Sequence, residues 1–261
     1  MNGTMAITMA GMGSRFAKAG YTRPKYEIMA HGRALFDWSM LSLAAFRDAG
    51  WHFSFAVREG LGAPEYLRAR CKALGIAVGE ILSLDGGTDG QATTARLLAD
   101  RAPAEAPFAI YNIDTFVTPY AMRPPDPAAL AGWIPCFPGP GEGWSFARLD
   151  GAGRVVEVRE KQRISPHATV GLYWFDHARR FLAAYDAYYS VTGREERGER
   201  YVAPLYNQMI AEGLSVGVDV LAFDAVGMLG TPEQLDAFVA APAPLIGDDG
   251  SVSGPGQSSG A

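Results

Sequence analysis

Strand-like and helix-like segments alternate over the first 120 residues, and this order constrains the fold more than any other feature of the sequence. An apolar run at residues 5–9 ends in Gly11, and apolar residues then recur at helical spacing over residues 35–46. The alternation continues to an apolar run at residues 108–113, which ends at Asp114. Strands separated by helices pair in parallel and carry the helices on both faces of the sheet. The sequence therefore predicts an α/β fold with a mainly parallel sheet. Between these segments it predicts strands at residues 51–57 and 76–82 and helices at residues 64–75 and 90–101.

The second half of the chain carries more turn signals. Residues 119–143 are rich in proline and glycine and predict a long loop. Two strand-like segments, 144–149 and 155–158, flank Asp150-Gly151-Ala152-Gly153, which predicts a β-hairpin. The remaining predictions are strands at residues 168–175 and 216–223, a helix that begins near Asp176, and helices at residues 201–211 and 232–240.

The composition excludes several classes of protein. Hydrophobic residues make up 48% of the 261 residues and charged residues 20%, so a large core can be buried. A net charge of -5 without a basic stripe argues against a nucleic-acid partner. Cys71 and Cys136 lack the spacing of a zinc site or a disulfide framework. The sequence shows no signal peptide and no apolar run of the ~20 residues that span a membrane. We therefore predict a cytoplasmic protein that does not bind a membrane.

A glycine-rich turn follows the first predicted strand directly, in the segment Ala10-Gly11-Met12-Gly13-Ser14-Arg15. Glycines let backbone N–H groups approach an anion, and the Arg15 guanidinium suits phosphate oxygens. Lys25 adds a second cation after the rigid Pro24. A Walker loop is absent from the sequence, and Phe16 stands where a dinucleotide fingerprint needs a third glycine. A bare Gly-x-Gly turn is often only a tight connection, but the ordered set with both cations predicts a polyphosphate site.

These residues resemble the opening signature of the sugar-phosphate nucleotidyltransferases, or NDP-sugar pyrophosphorylases. Members begin with an apolar strand, then Ala-Gly-x-Gly-x-Arg, and then Pro-Lys about ten residues further on. The resemblance implies a Rossmann-like sheet with helices on both faces and a hairpin-containing substrate-binding half. Within the family, the sequence resembles in particular the capsule and surface-polysaccharide members, some of which use CTP. Further blocks follow in family order, namely Asp89-Gly90-Gln91-Ala92, Asn112-Ile113-Asp114, Glu160-Lys161, Val170-Gly171-Leu172-Tyr173 and Gly230-Thr231-Pro232-Glu233.

The resemblance also implies roles for individual residues. Arg15 and Lys25 would hold the phosphates and stabilise charge at the reacting phosphate, and Asp114 would bind Mg²⁺. Many members carry a second metal ligand two residues before the late Gly-Thr, where this chain has Met228. Asp224 lies nearby but out of register, so coordination by one carboxylate with substrate phosphates and water is expected. The remaining implied contacts are Ala10, Gly11, Gly13, Ser14, Gly90 and Gln91 for the nucleotide, and Glu160, Lys161 and Gly171 for the acceptor.

Together these features predict an enzyme that condenses an NTP with a sugar 1-phosphate to give an NDP-sugar and pyrophosphate. The acceptor phosphate is already anionic, so positioning and electrostatic stabilisation dominate the predicted catalysis. We predict one domain over residues 1–241, with a nucleotide-binding half at 1–118 and an acceptor-binding half at 119–241. Residues 242–261 predict a disordered tail. Family members commonly form homo-oligomers.

Three alternative functions remain open from the sequence. A cytidylyltransferase could act on phosphocholine, a phosphonate or another non-sugar phosphate. A glycosyltransferase would share the sheet but usually has an acidic residue where this chain has Asn112. A non-catalytic regulatory homologue would not need the second metal ligand, so this alternative is compatible with Met228 at that position. Individual residues could also have a purely structural role. Asp114 could form a strand-to-loop turn, and Glu160 and Lys161 could be an exposed pair at a strand end. Gln91 could face solvent in the first turn of a helix.

Overall fold

A mixed sheet of ten strands forms the centre of the molecule. The computed structural model describes residues 2–60, 62–247 and 251. Its strands are β1 (Thr4–Met9), β2 (Met29–Ala30), β3 (Arg33–Ala34), β4 (His52–Arg58), β5 (Val78–Leu84), β6 (Phe108–Tyr111), β7 (Thr115–Val117), β8 (Gly132–Phe137), β9 (Ser145–Leu149), β10 (Val155–Glu160), β11 (Ala168–Thr169), β12 (Leu172–Phe175), β13 (Val216–Val220) and β14 (Val226–Met228). Its helices are α1 (Ser14–Lys18), α2 (Leu35–Leu41), α3 (Ala44–Asp48), α4 (Ala63–Ala73), α5 (Gln91–Ala99), α6 (Ala178–Tyr189), α7 (Tyr206–Ala211) and α8 (Pro232–Ala240). Short 3-10 helices occupy Lys25–Glu27, Ala203–Leu205 and Phe223–Ala225.

The strand order confirms the predicted α/β class. Strands β5, β4, β1 and β6 are neighbours and pair in parallel. Beyond β6 the pairing becomes antiparallel through β12, β8, β11, β9 and β10, and β13 pairs with β8 in parallel. The parallel arrangement is therefore concentrated in the first half of the chain, where helical crossovers connect the strands.

Helices cover both faces of the sheet, as the sequence predicts. On one face, Ile7 of β1 lies in a core cluster with Phe36 of α2 and Leu67 of α4. On the other face, Ala6 of β1 packs in a cluster with Leu98 of α5. All five of these side chains are buried, and each large one contributes roughly 1.5–3 kcal/mol by leaving water. The buried central strands hold the carboxyl ends of β1, β4 and β6 at one edge.

The predicted loop at residues 119–143 is wrong over part of its length, because it contains strand β8. Every residue of β8 is buried, and the strand pairs with β11, β12 and β13. Burial on both faces removes the polar–apolar alternation that identifies a half-exposed strand. Pro135 lacks a backbone donor, yet its carbonyl accepts from the Val170 N–H at 3.0 Å. The proline and glycine content therefore concealed a central strand.

The other predicted elements are present, but several of them begin, end or divide at other residues. The helix predicted at residues 35–46 is divided into α2 and α3. The strand predicted at residues 168–175 is divided into β11 and β12 by Val170 and Gly171. The helix predicted at residues 201–211 begins as a 3-10 turn before α7. Strands β7 and β14 were not predicted, and they form a two-stranded antiparallel ribbon next to Asp114.

The predicted hairpin is present as β9 and β10. The Asp150 carboxylate accepts hydrogen bonds from the backbone N–H groups of Ala152 and Arg154, both at 2.9 Å, which fixes the turn. The pairing then shifts by one residue between Val155 and Glu157, and this bulge places Glu160 opposite Ser145. Both side chains consequently point to the same face of the sheet.

The predicted tail at residues 242–261 lies mostly outside the described residues. Within its described part, the Ile246 carbonyl accepts a hydrogen bond from the Arg33 guanidinium at 2.8 Å. In the described part of the chain, no helix combines the length and the hydropathy needed to cross a bilayer.

Candidate active site

Two neighbouring cavities lie along one edge of the sheet, the first where β1, β4 and β6 end and the second beside β6, β9, β10 and β12. A crevice outside the carboxyl ends of parallel strands is where open α/β sheets bind ligands. The first cavity has a volume of about 310 Å³ and the second about 710 Å³. Arg15, Asp114 and Gly230 line both cavities, so the two meet at these residues.

The glycine-rich turn forms one wall of the first cavity. Gly13 has a φ of +58°, a left-handed conformation that favours glycine, and helix α1 begins at the next residue, Ser14. Gly11, Gly13, Ser14 and Arg15 all line the cavity. Ala10 is buried beneath the turn. The turn thus exposes backbone and the Arg15 side chain to the same space.

Lys25 and Asp114 meet directly in the first cavity, 89 residues apart in sequence. The Lys25 Nζ donates to Asp114 Oδ1 at 2.5 Å. The lysine side chain is only 12% exposed, whereas the aspartate is 47% exposed. The ammonium also lies 5.6 Å from the centre of the Phe16 ring. A nearly buried cation is therefore held beside a carboxylate that stays open to the cavity.

The β7–β14 ribbon fixes the surroundings of Asp114. The Asp114 carbonyl accepts from the Leu229 N–H at 2.8 Å, which brings Gly230 alongside the carboxylate. A Cβ atom at Gly230 would lie 3.6 Å from Asp114 Oδ2. A larger side chain at this position would extend over that oxygen, so glycine keeps it accessible.

The second cavity contains the predicted acceptor residues Glu160 and Lys161. The Glu160 side chain is 7% exposed and accepts a hydrogen bond from the Ser145 hydroxyl. Ser145 also contacts the Tyr173 hydroxyl at 3.1 Å. Burial raises the pKa of the Glu160 carboxyl above its usual range, although the Ser145 hydroxyl and the Lys161 ammonium act in the opposite direction. The predicted alternative of an exposed strand-end pair is therefore wrong.

Lys161 is held in one defined position. Its backbone φ is +50°, in the left-handed region that a lysine rarely adopts. Its Nζ donates to the Tyr201 hydroxyl, lies 4.4 Å from the centre of the Tyr201 ring, and is 3.9 Å from Glu160 Oε1. The ammonium is thus placed against an aromatic face and a carboxylate.

Gly171 and Gln91 also line the second cavity. Gly171 has a φ of +85°, and a Cβ atom there would lie 2.5 Å from the side-chain amide of Asn112. The glycine therefore permits the close approach of Asn112, and this packing requirement is separate from its predicted contact with the acceptor. The Gln91 side chain donates to the Thr8 hydroxyl at 3.3 Å, so it faces the crevice rather than bulk solvent.

Three predicted residues lie outside the described linings of both cavities, namely Ala10, Gly90 and Asp224. Gly90 is covered by the backbone of Arg200, whose carbonyl oxygen would lie 2.4 Å from a Cβ atom at residue 90. Asp224 is exposed in the 3-10 helix before β14. Met228 pairs with Thr115 and Val226 with Val117, so Asp224 lies beyond the end of the ribbon that is remote from Asp114. Asp224 is therefore not positioned to share a metal ion with Asp114.

A charged loop at residues 190–200 covers part of the second cavity. Glu196 and Glu199 pair through two backbone hydrogen bonds, and Arg197 and Gly198 between them both have positive φ, so the tip is a tight turn. Arg197 and Glu199 line the cavity. The base of the loop is attached to the start of helix α5, because the Arg200 N–H donates to the Asp89 carbonyl at 2.7 Å and the Ala92 N–H donates to the Arg200 carbonyl at 2.9 Å.

Sequence reasoning did not identify Ser145, Arg58 or Arg197 as site residues. The hairpin turn pairs Leu149 with Val155, and the same register continued along the strands would place Ser145 opposite Arg159. The bulge shifts this register by one residue and brings Ser145 to Glu160. A one-residue shift reverses the face of every side chain, so the turn alone could not have revealed this contact.

The fold of this chain is similar to the folds of several solved structures. The structure is similar to a nucleoside-diphosphate-sugar pyrophosphorylase from Vibrio cholerae RC9, with 36% sequence identity, a TM-score of 0.83, and coverage of 91% of this chain and 100% of that chain. It also resembles in fold an inositol-1-phosphate CTP transferase from T. maritima, at 15% identity, a TM-score of 0.68, and coverage of 93% and 97%. A CTP:phosphocholine cytidylyltransferase from Streptococcus pneumoniae is similar at 15% identity, a TM-score of 0.67, and coverage of 92% and 99%. No family model and no curated protein matches the sequence.

The fold and these relationships define an enzyme that is a nucleotidyltransferase. The chain belongs to the sugar-phosphate nucleotidyltransferase family, the NDP-sugar pyrophosphorylases. The alternatives of a glycosyltransferase and of a non-catalytic homologue are therefore set aside.

Proposed function

We propose that this enzyme transfers a nucleoside monophosphate from an NTP to a sugar 1-phosphate and releases pyrophosphate, with Mg²⁺ as the required ion. The observation that carries the proposal is the junction of the two cavities at Arg15, Asp114 and Gly230. A nucleotide in the first cavity and an acceptor in the second would have their reacting phosphates at this junction. Surface-polysaccharide synthesis stays a prediction that rests on the sequence resemblance.

The contacts of Lys161 favour a neutral hydroxylated acceptor over one with a quaternary ammonium group. Cationic headgroups are recognised by aromatic faces and carboxylates. In the second cavity the Lys161 ammonium already lies against the Tyr201 ring and near Glu160. Its charge repels a second cation there, while the Glu160 carboxylate can accept hydrogen bonds from sugar hydroxyls. This arrangement supports a sugar phosphate rather than phosphocholine.

The main barrier to the reaction is the approach of the anionic acceptor phosphate to the anionic NTP. A general base is not needed, because the acceptor phosphate is already anionic. The acceptor phosphate oxygen attacks the α-phosphorus in line with the departing pyrophosphate. Arg15 stands at the cavity junction, where its guanidinium can bind oxygens of either phosphate. Lys25 is fixed by Asp114 and supplies positive charge without having to move. Preorganised charge of this kind lowers the barrier because little reorganisation accompanies the reaction.

Asp114 fits the role of a magnesium ligand. Its carboxylate is half-exposed, and Gly230 leaves Oδ2 accessible. Among the described residues there is no group of three or more His, Cys, Asp or Glu side chains that could hold a metal alone. Mg²⁺ commonly takes one or two carboxylates and completes its shell with phosphates and water. When bound, the ion supplies charge neutralisation at the phosphates.

A substrate matrix tests the proposal. Each common NTP is combined with a panel of sugar 1-phosphates, phosphocholine and inositol 1-phosphate in the presence of Mg²⁺, and pyrophosphate release is measured. We expect turnover with a sugar 1-phosphate and its loss when EDTA removes the metal. Turnover confined to phosphocholine, or unaffected by EDTA, would contradict the proposal.

A further inference from the structure

Arg58 is a charged residue of the first cavity to which the family resemblance assigned no role. It is the last residue of β4 and lines the cavity, and β1 lies between β4 and the strand β6 that precedes Asp114. Its side chain is half-buried, and among the residues that the structure describes its guanidinium has no hydrogen-bond or ion-pair partner. A cation that faces a cavity without a protein partner is available to a ligand.

The strand order gives Arg58 a defined direction from the reacting phosphate. Asp114 follows β6, the glycine-rich turn follows β1, and Arg58 ends β4, so the three occupy successive strand ends. The acceptor cavity lies on the opposite side of β6, at β12, where Gly171 and Tyr173 line it. Neighbouring strands are about 4.8 Å apart, so β4 is roughly 10 Å from β6, on the side away from the acceptor.

In-line displacement connects this direction to the leaving group. The acceptor oxygen forms a bond to the α-phosphorus while the bond from that phosphorus to the bridging oxygen breaks. The electron pair goes to that oxygen, which leaves as part of pyrophosphate without a proton transfer to the protein. Since attack comes from the β12 side, the pyrophosphate leaves toward β4.

We propose that Arg58 binds the departing pyrophosphate and stabilises the charge that develops on it. This inference rests on the proposed function, because it takes the second cavity as the acceptor site. Three cations, Arg15, Lys25 and Arg58, line the first cavity, and Lys25 is already paired with Asp114. Arg58 therefore adds a forked donor where the β- and γ-phosphates would lie.

The first test is calorimetric and needs no turnover. Binding of magnesium pyrophosphate is measured for the wild type and for the Arg58→Gln, Arg58→Lys and Arg68→Gln variants. Arg68 is exposed on α4 and outside the described cavity linings, so it is a matched control. We expect Arg58→Gln to weaken pyrophosphate binding at least about tenfold, with partial recovery in Arg58→Lys and no change in the control.

Each of the common nucleoside monophosphates is titrated in the same way. We expect their affinities to be the same for Arg58→Gln and wild type, since the proposal places Arg58 beyond the α-phosphate. Equal losses for pyrophosphate and a monophosphate would overturn it, as would unchanged pyrophosphate binding or a wild type that does not bind pyrophosphate. Circular dichroism of each variant confirms that it is folded.

The second test uses the reverse reaction with the substrate pair found by the matrix assay. We expect Arg58→Gln to raise the KM for pyrophosphate about tenfold and to leave the KM for the NDP-sugar unchanged. A raised KM for the NDP-sugar with normal KM for pyrophosphate would overturn the assignment. If no NTP and sugar phosphate pair is turned over, the proposed function fails, and the calorimetric result still decides whether Arg58 binds pyrophosphate.

Discussion

At the scale of single residues, the site is built from charges whose positions are restricted by neighbours. Lys25 is nearly buried and bonded to Asp114, Glu160 is buried against Ser145, and Lys161 lies against Tyr201. Each of these three groups therefore has one main orientation before any ligand arrives. Such restriction reduces the entropy that binding must remove, and it makes the consequences of single substitutions definite.

Replacement of Lys25 by methionine removes the ammonium and keeps most of the apolar stem. We expect turnover to fall at least about 100-fold, because a preorganised charge near the reacting phosphate is lost. Pyrophosphate release measures the loss, and far-UV circular dichroism checks the fold. Lys18→Met is the control, since Lys18 is exposed on α1. Near-normal turnover of Lys25→Met would exclude a catalytic role for this lysine.

Glu160→Gln should change the pH dependence of stability. Burial raises the native pKa of Glu160 above the unfolded value of 4.5. The native state therefore binds more protons than the unfolded state, so the free energy of unfolding falls as the pH rises above the unfolded pKa. Glutamine lacks this titration, so the variant should gain free energy of unfolding relative to wild type between about pH 4 and about pH 7.

Glu157→Gln on the same strand provides a control of opposite sign. The Arg148 and Arg159 guanidiniums lower the pKa of Glu157, so its contribution is present above the unfolded value and is lost on acidification. This variant should lose stability relative to wild type over the same interval. Urea unfolding at each pH measures both differences, and equal trends for the two variants would contradict the assignment.

Gly171→Ala tests the close approach of Asn112. The left-handed conformation alone costs an alanine about 1–2 kcal/mol, and the contact at 2.5 Å adds overpacking of about 1–3 kcal/mol. Gly153→Ala is the matched control, because φ is +79° and nothing lies within 4 Å of its Cβ position. We expect a clearly larger loss of unfolding free energy for Gly171→Ala in urea titrations. Equal losses would show that Asn112 moves aside freely.

At the scale of elements, most strands and helices follow from sequence periodicity, and the exceptions have physical causes. The glycine turn, the hairpin and helix α8 were predicted from local chemistry that persists in the fold. Strand β8 was missed because it is buried on both faces and contains Pro135. The motif residues of the site could be read from the sequence, whereas the Ser145–Glu160 contact depends on a bulge that the turn does not encode.

The charged loop at residues 190–200 is an element whose position depends on Arg200. The Arg200 side chain donates to the Tyr185 hydroxyl at 3.0 Å and lies 3.3 Å from the Asp89 and Glu195 carboxylates. We expect Arg200→Ala to raise the KM for the acceptor roughly tenfold, because Arg197 and Glu199 lose their support. The KM for the NTP should change much less.

Arg194→Ala is the control for this loop. Its guanidinium stacks on the Tyr188 ring and bonds only to the Tyr188 carbonyl among the described contacts. Steady-state kinetics with each substrate varied separately distinguish the two variants. Equal effects on both KM values in Arg200→Ala would indicate a general loss of structure.

At the scale of the whole molecule, the continuous sheet joins the two predicted halves. Strand β12 of the second half pairs with β6 of the first, and both core clusters contain residues from each half. We therefore expect one cooperative unfolding transition in urea rather than two. Single-tryptophan variants that retain Trp51 or Trp174 report on the two halves, and separate midpoints would show that the halves unfold independently.

The meeting of the two cavities at Arg15, Asp114 and Gly230 has a consequence for inhibitor design. A bisubstrate compound that links a nucleoside to a polyol through a stable phosphonate bridge would occupy both cavities at once. It loses translational and rotational freedom only once, so its affinity can exceed that of either fragment by orders of magnitude when the bridge matches the span.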